Sequence, residues 1–66
     1  MLQRLKELRK EKGLTQEELA KKSGVSRGTI IALENERKRV VKSSTLSKIA
    51  MALDSTVANI FFAYYD

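Results

Sequence analysis

The segment 15–35 constrains this chain more than any other. Thr15-Gln16-Glu17-Glu18 places a hydroxyl three residues before a glutamate, the reciprocal cap that opens a helix. That helix runs to about Lys22, with Leu19 and Ala20 turned inward. Ser23-Gly24-Val25 reads as a tight turn in which Gly24 supplies a positive φ, and Ser26 caps a further helix over roughly 27–35. Ala20 is small where the two helices approach, while Val25 and Ile30 are apolar where the second seats itself on its neighbours. Two short helices joined by a glycine turn fit a groove-reading unit; on spacing alone, a generic helical hairpin is the alternative.

The flanks supply three more helices. Leu2, Leu5 and Leu8 recur every three residues and predict a helix over about 2–12, ended by Gly13, with Lys10 and Lys12 suiting its C-terminal dipole. Ser43-Ser44-Thr45 opens a helix with Leu46, Ile49, Ala50 and Leu53 inward, and Thr56 caps a last one carrying Val57, Ile60 and Phe61. The segment 36–43 reads as a basic loop. Only the short tail 61–65 permits the period-two pattern of a strand. The expectation is an all-α domain of five helices spanning 1–66.

Inventory excludes much chemistry. The 66 residues contain no Cys, His, Pro or Trp. Disulfides, thiolate nucleophiles, imidazole acid–base catalysis and Cys/His metal sites are therefore absent, and neither a metal nor a cofactor is expected. A chain of this size buries only about 60% of its unfolded surface and keeps little interior for a substrate pocket. An enzyme fails on these grounds, and no glycine-rich phosphate motif rescues it. The longest uncharged run, 55–65, is too short to span a membrane, and the charged N-terminus is no signal peptide. A cytoplasmic location is expected.

Charge points to a polyanion. The net charge is +5, with all thirteen basic residues before residue 49. The densest cluster is Arg37-Lys38-Arg39-Val40-Val41-Lys42. A field confined to one part of a domain attracts nucleic acid or an anionic membrane surface, although a basic run alone also suits a solvated loop. The membrane reading is weak because the aromatic and basic clusters lie in different regions. RNA is disfavoured because aromatics do not interleave with the cations.

At about 100° per residue, Ile30, Leu33 and Glu34 share one face of the third helix. Gly28, Ala32 and Asn35 lie opposite, flanked by Arg27 and Ile31. That outer face carries no acid, which suits entry into a major groove; an ordinary surface helix more often carries Glu and Lys there. Glu34 sits on the apolar face and Arg9 on the leucine stripe of the first helix. Buried charges need partners, so Arg9 and Glu34 are expected to pair; the alternative is that each side chain reaches water independently.

The stretch from Arg4-Leu5-Lys6 and Leu8-Arg9 through Lys12-Gly13-Leu14-Thr15-Gln16-Glu17-Glu18-Leu19-Ala20, Ser23-Gly24-Val25-Ser26-Arg27, Ile30 and Leu33-Glu34-Asn35 closely resembles the phage-repressor and Cro-type helix-turn-helix family. Leu46, Ile49-Ala50, Ala52-Leu53 and Ile60-Phe61 match its last two helices, so the resemblance covers nearly the whole chain. It implies a compact five-helix, lambda-repressor-like domain that binds a palindromic double-stranded DNA operator as a homodimer and regulates transcription, most often as a repressor. It also implies the Arg9–Glu34 pair.

Carried over by position, the resemblance implies base contacts from Arg27, Thr29 and Ile31, with Arg27 able to fork onto a guanine. It implies backbone contacts from Gln16, Ser26, Asn35, Arg37, Lys38, Arg39 and Lys42. The chain departs from the family in places. Gly28 and Ala32 stand where long polar side chains are common. Ile31 either presses a thymine methyl or packs locally. Glu36 replaces the glycine that usually follows Glu-Asn, and the loop lacks the usual proline and is about one residue longer. Direct readout is therefore sparse, leaving much of the specificity to DNA shape. The aromatic segment 54–66 suggests a dimer contact through Phe62, Tyr64 and Tyr65, or packing onto its own domain. An antitoxin or protein-binding module of the same fold, with a protein partner, is the alternative function.

Overall fold

A computed structural model describes residues 3–37 and 40–61. The described residues form five helices and no strand: α1 (Leu5–Glu11), α2 (Gln16–Ser23), α3 (Arg27–Glu34), α4 (Ser43–Ala52) and α5 (Val57–Phe61). Each helix contributes to one core built from Leu5, Leu8, Leu19, Ile30, Leu33, Ile49, Leu53, Ile60 and Phe61, with Val25 entering from the α2–α3 turn. Helix α2 packs on both α3 and α4, and α1 bridges α3 and α5. The recognition-type hairpin α2–α3 is therefore held from behind by the rest of the domain.

Local chemistry sets the helix ends. The Thr15 hydroxyl accepts from the Glu18 amide at 3.0 Å while the Glu18 carboxylate accepts from the Thr15 amide at 2.8 Å, completing the reciprocal cap. These bonds to Thr15 hold the Glu18 carboxyl below its ordinary pKa. Ser26 caps α3 by accepting from the Thr29 amide at 3.2 Å. Gly24 turns the chain with φ 76°, and the Ser23 hydroxyl steadies the turn by accepting from the Val25 amide at 3.2 Å.

Three helices end in the same left-handed closure. After α1, the Leu14 amide reaches back to the Arg9 carbonyl and the Gly13 amide to that of Lys10. After α3, Arg37 and Glu36 repeat these bonds onto Ala32 and Leu33; after α4, Ser55 and Asp54 do so onto Ala50 and Met51. The residue that must turn left-handed is Gly13 in the first case, but Glu36 (φ 57°) and Asp54 (φ 51°) in the others. A side chain there costs roughly 1 kcal/mol relative to glycine. Glu36 thus adopts the left-handed backbone that Gly13 adopts after α1, at the expense of strain.

Helix α1 begins later than its leucine spacing predicts. It starts at Leu5 rather than near residue 2, because Arg4 and Gln3 use their hydrogen bonds elsewhere. The Arg4 amide donates to the Ile60 carbonyl at 2.6 Å. Buried Gln3 accepts from the Leu5 amide at 2.6 Å and donates to the Leu33 carbonyl at 3.2 Å. The chain entering α1 is thereby tied to the ends of α3 and α5. Leu2 lies outside the described residues.

Candidate nucleic-acid interface

Glu34 organises one end of the α2–α3 unit. Its carboxylate accepts from Arg9 Nε at 2.7 Å, from Arg9 Nη2 at 3.2 Å and from Gln16 Nε2 at 3.1 Å. Arg9 Nη1 donates to the Leu14 carbonyl at 2.6 Å. The Glu34 side chain is 2% exposed and that of Arg9 9%, so the two form a buried, forked ion pair joining α1 to α3. No buried side-chain polar atom among the described residues lacks a partner. This pair removes the only acid of α3 from the surface, and its Gln16 bond ties the start of α2 to the end of α3.

The outer face of α3 is what remains. Arg27, Gly28 and Asn35 are exposed, and Thr29, Ile31 and Ala32 are half-buried. Among these, Arg27 alone carries a charge. The Ser26 hydroxyl donates to the Thr29 hydroxyl at 2.8 Å and accepts the capping bond, so Thr29 holds the proton left to give an outside acceptor. Gln16 is half-buried, with one amide hydrogen on Glu34 and the other available to a ligand. Exposed Glu17 stands beside it. Beyond α3, Arg37 is exposed, and its amide anchors the loop onto the Ala32 carbonyl at 2.8 Å. Lys42 is exposed immediately before α4. Val40 is 87% exposed between them.

Arg27, Thr29 and Ile31 thus share α3, with Ser26 at its N-cap, Asn35 at its C-cap and Gln16 joined to its far end through Glu34. Arg37 and Lys42 bound the loop that follows. Lys38 and Arg39, expected on the DNA backbone, lie outside the described residues, as do Phe62, Tyr64 and Tyr65, expected at a dimer contact. Sequence reasoning missed Gln3 altogether. A lone polar residue in a charged N-terminus carries no signal that it will be buried against the carbonyl end of α3.

A helix-turn-helix family model matches residues 5–60, from the first residue of α1 almost to the end of α5. The chain belongs to the helix-turn-helix family of the phage-repressor and Cro type. An uncharacterized HTH-type transcriptional regulator of Methanothermobacter thermautotrophicus is 67% identical over 33 residues, which is 50% of this chain and 48% of that protein. The uncharacterized HTH-type transcriptional regulator RghRB of Bacillus subtilis is 38% identical over 61 residues, covering 92% of this chain and 44% of the relative. The chain therefore spans about half the length of the curated relatives it matches. A solved SinR protein/SinI protein complex contains a chain similar to this one with a TM-score of 0.82 and 35% identity, over 89% of this chain and 58% of the other. The five-helix arrangement is that of the family.

No helix among the described residues is long and apolar enough to cross a membrane.

Proposed function

We propose that this chain is a sequence-specific double-stranded DNA-binding domain of a transcriptional regulator, a repressor that meets a palindromic operator as a homodimer. The observation that carries this reading is the acid-free outer face of α3, which begins with exposed Arg27 and is tied to α2 through the Gln16–Glu34 bond. Such a face can enter the major groove without repelling the phosphates on either side. Arg27 reads a guanine, Thr29 donates to an acceptor on a base or phosphate, and Ile31 presses a thymine methyl. Gln16, Asn35, Arg37, Lys38, Arg39 and Lys42 hold the phosphates, and Ser26, whose hydroxyl proton goes to Thr29, acts at the backbone by orienting the Thr29 hydroxyl. Phe62, Tyr64 and Tyr65 join two copies so that two α3 helices lie one DNA turn apart.

Selection of bound duplexes from a randomised pool tests this directly. The expected result is one enriched sequence with two-fold symmetry, together with a dimer in sedimentation. Failure to enrich any sequence over random DNA would overturn the reading. A second reading takes a protein as the main partner. It draws on the similar SinR chain, which was solved in complex with the SinI protein. Recovery of a stoichiometric protein partner without any enriched duplex would favour it.

A further inference from the structure

The chain has three glycines, and the fold accounts for two. Gly13 and Gly24 adopt φ values of 70° and 76°, which L side chains rarely tolerate. Gly28 is different. It lies in the first turn of α3 without a positive φ, and a Cβ built on it meets no atom within 4 Å. The position is exposed. Glycine is among the poorest helix formers, and nothing inside the domain requires it here. The reason for it is therefore to be sought outside the domain.

The neighbours of Gly28 indicate what that is. Arg27 precedes it in the same turn, and Ala32 follows one turn later on the same face. The exposed cations Arg37 and Lys42 lie beyond α3. We infer that Gly28 is a positioning residue: its missing side chain lets the first turn of α3 rest against base-pair edges on the floor of the major groove. Arg27 is thereby brought within reach of a guanine. This rests on the DNA-binding reading above. A methyl group at this position would hold the helix off the groove floor and withdraw Arg27 from its base, leaving the phosphate contacts of the flanks in place.

The test uses the whole chain with duplexes it selects from a randomised pool, and unselected duplex as control. Gly28→Ala should raise the thermal midpoint, because alanine favours the helix. It should also weaken binding to the selected duplex by about tenfold or more while leaving unselected duplex nearly unaffected. Gly28→Gln should fold equally well and select a different sequence. Parent-like affinity of Gly28→Ala for the selected duplex would overturn the inference. A lowered thermal midpoint would also do so, by giving the glycine a role in folding. Equal losses on both duplexes would overturn the base-edge assignment. In all three cases the DNA-binding reading survives. If the parent chain enriches no sequence, both fall together.

Discussion

Replacing Glu34 with alanine should remove most of the stability of this domain. The Glu34 side chain is 2% exposed and accepts three hydrogen bonds, two from Arg9 and one from Gln16. Without it, the guanidinium of Arg9 stays buried with the Leu14 carbonyl as its remaining acceptor. Breaking a buried pair from one side costs about 3–5 kcal/mol, because the surviving charge is neither solvated nor paired. At roughly 0.05–0.15 kcal/mol per residue, a chain of 66 residues has about 3–10 kcal/mol in total. Urea slopes for so small a domain lie near 1 kcal/mol/M, so the midpoint should fall by several molar and leave much of the variant unfolded in buffer. The measurement is urea titration followed by circular dichroism. Replacing both partners, Arg9→Met with Glu34→Leu, should restore most of the loss or exceed it, since the desolvation cost vanishes with the charges. An unchanged midpoint for Glu34→Ala would refute the reasoning, as it would mean that water already solvates both groups.

Four further expectations follow, the last of them from the sequence and not from the structure. Arg27→Ala should cost about 1–3 kcal/mol on the selected duplex and relax preference at one position per half-site, whereas Lys42→Ala should weaken all duplexes alike and lower the slope of log K against log salt by about one. Equal losses on selected and random DNA for Arg27→Ala would make Arg27 another phosphate contact. Glu36→Gly should raise the unfolding midpoint slightly by relieving a left-handed backbone (φ 57°), a gain of up to about 0.5 kcal/mol after the added freedom of the unfolded chain is counted. Glu18 has a lowered folded-state pKa through its bonds to Thr15, so its contribution is present above the unfolded carboxyl pKa and is lost as pH falls through the lower folded value. Glu18→Gln should flatten the pH dependence of the urea midpoint in that acid window, and an identical profile for parent and variant would count against the cap. Phe62→Asp should give a folded monomer with weakened operator binding, and sedimentation of the parent as a monomer at high concentration would remove the basis for that expectation.

Local rules made much of the α2–α3 unit legible. A hydroxyl and a glutamate three residues apart, a glycine at the turn and a serine before α3 act through bonds within four residues, so spacing alone reveals them. Arg9 and Glu34 were legible for a different reason: each is a charge on an otherwise apolar helical stripe, and such a residue requires a partner. The candidate interface was partly legible. The absence of acid from the outer face of α3 follows from periodicity, but the engagement of Gln16 with Glu34 and of Ser26 with Thr29 involves particular rotamers that spacing does not specify.

The sequence by itself determined the five helices, the Thr15, Ser26 and Thr56 caps and the apolar stripe each helix buries, because these depend on short-range hydrogen bonding and on the 3.6-residue period. Tertiary structure decided where α1 starts, since Arg4 and Gln3 give their hydrogen bonds to the ends of α5 and α3, and those carbonyls come near only once the chain has folded. It also decided that Glu36 and Asp54 adopt left-handed backbones. The chain leaves α3 and α4 at those points, and each closure forms two hydrogen bonds that offset about 1 kcal/mol of local strain. Local propensity alone assigns such a conformation to glycine.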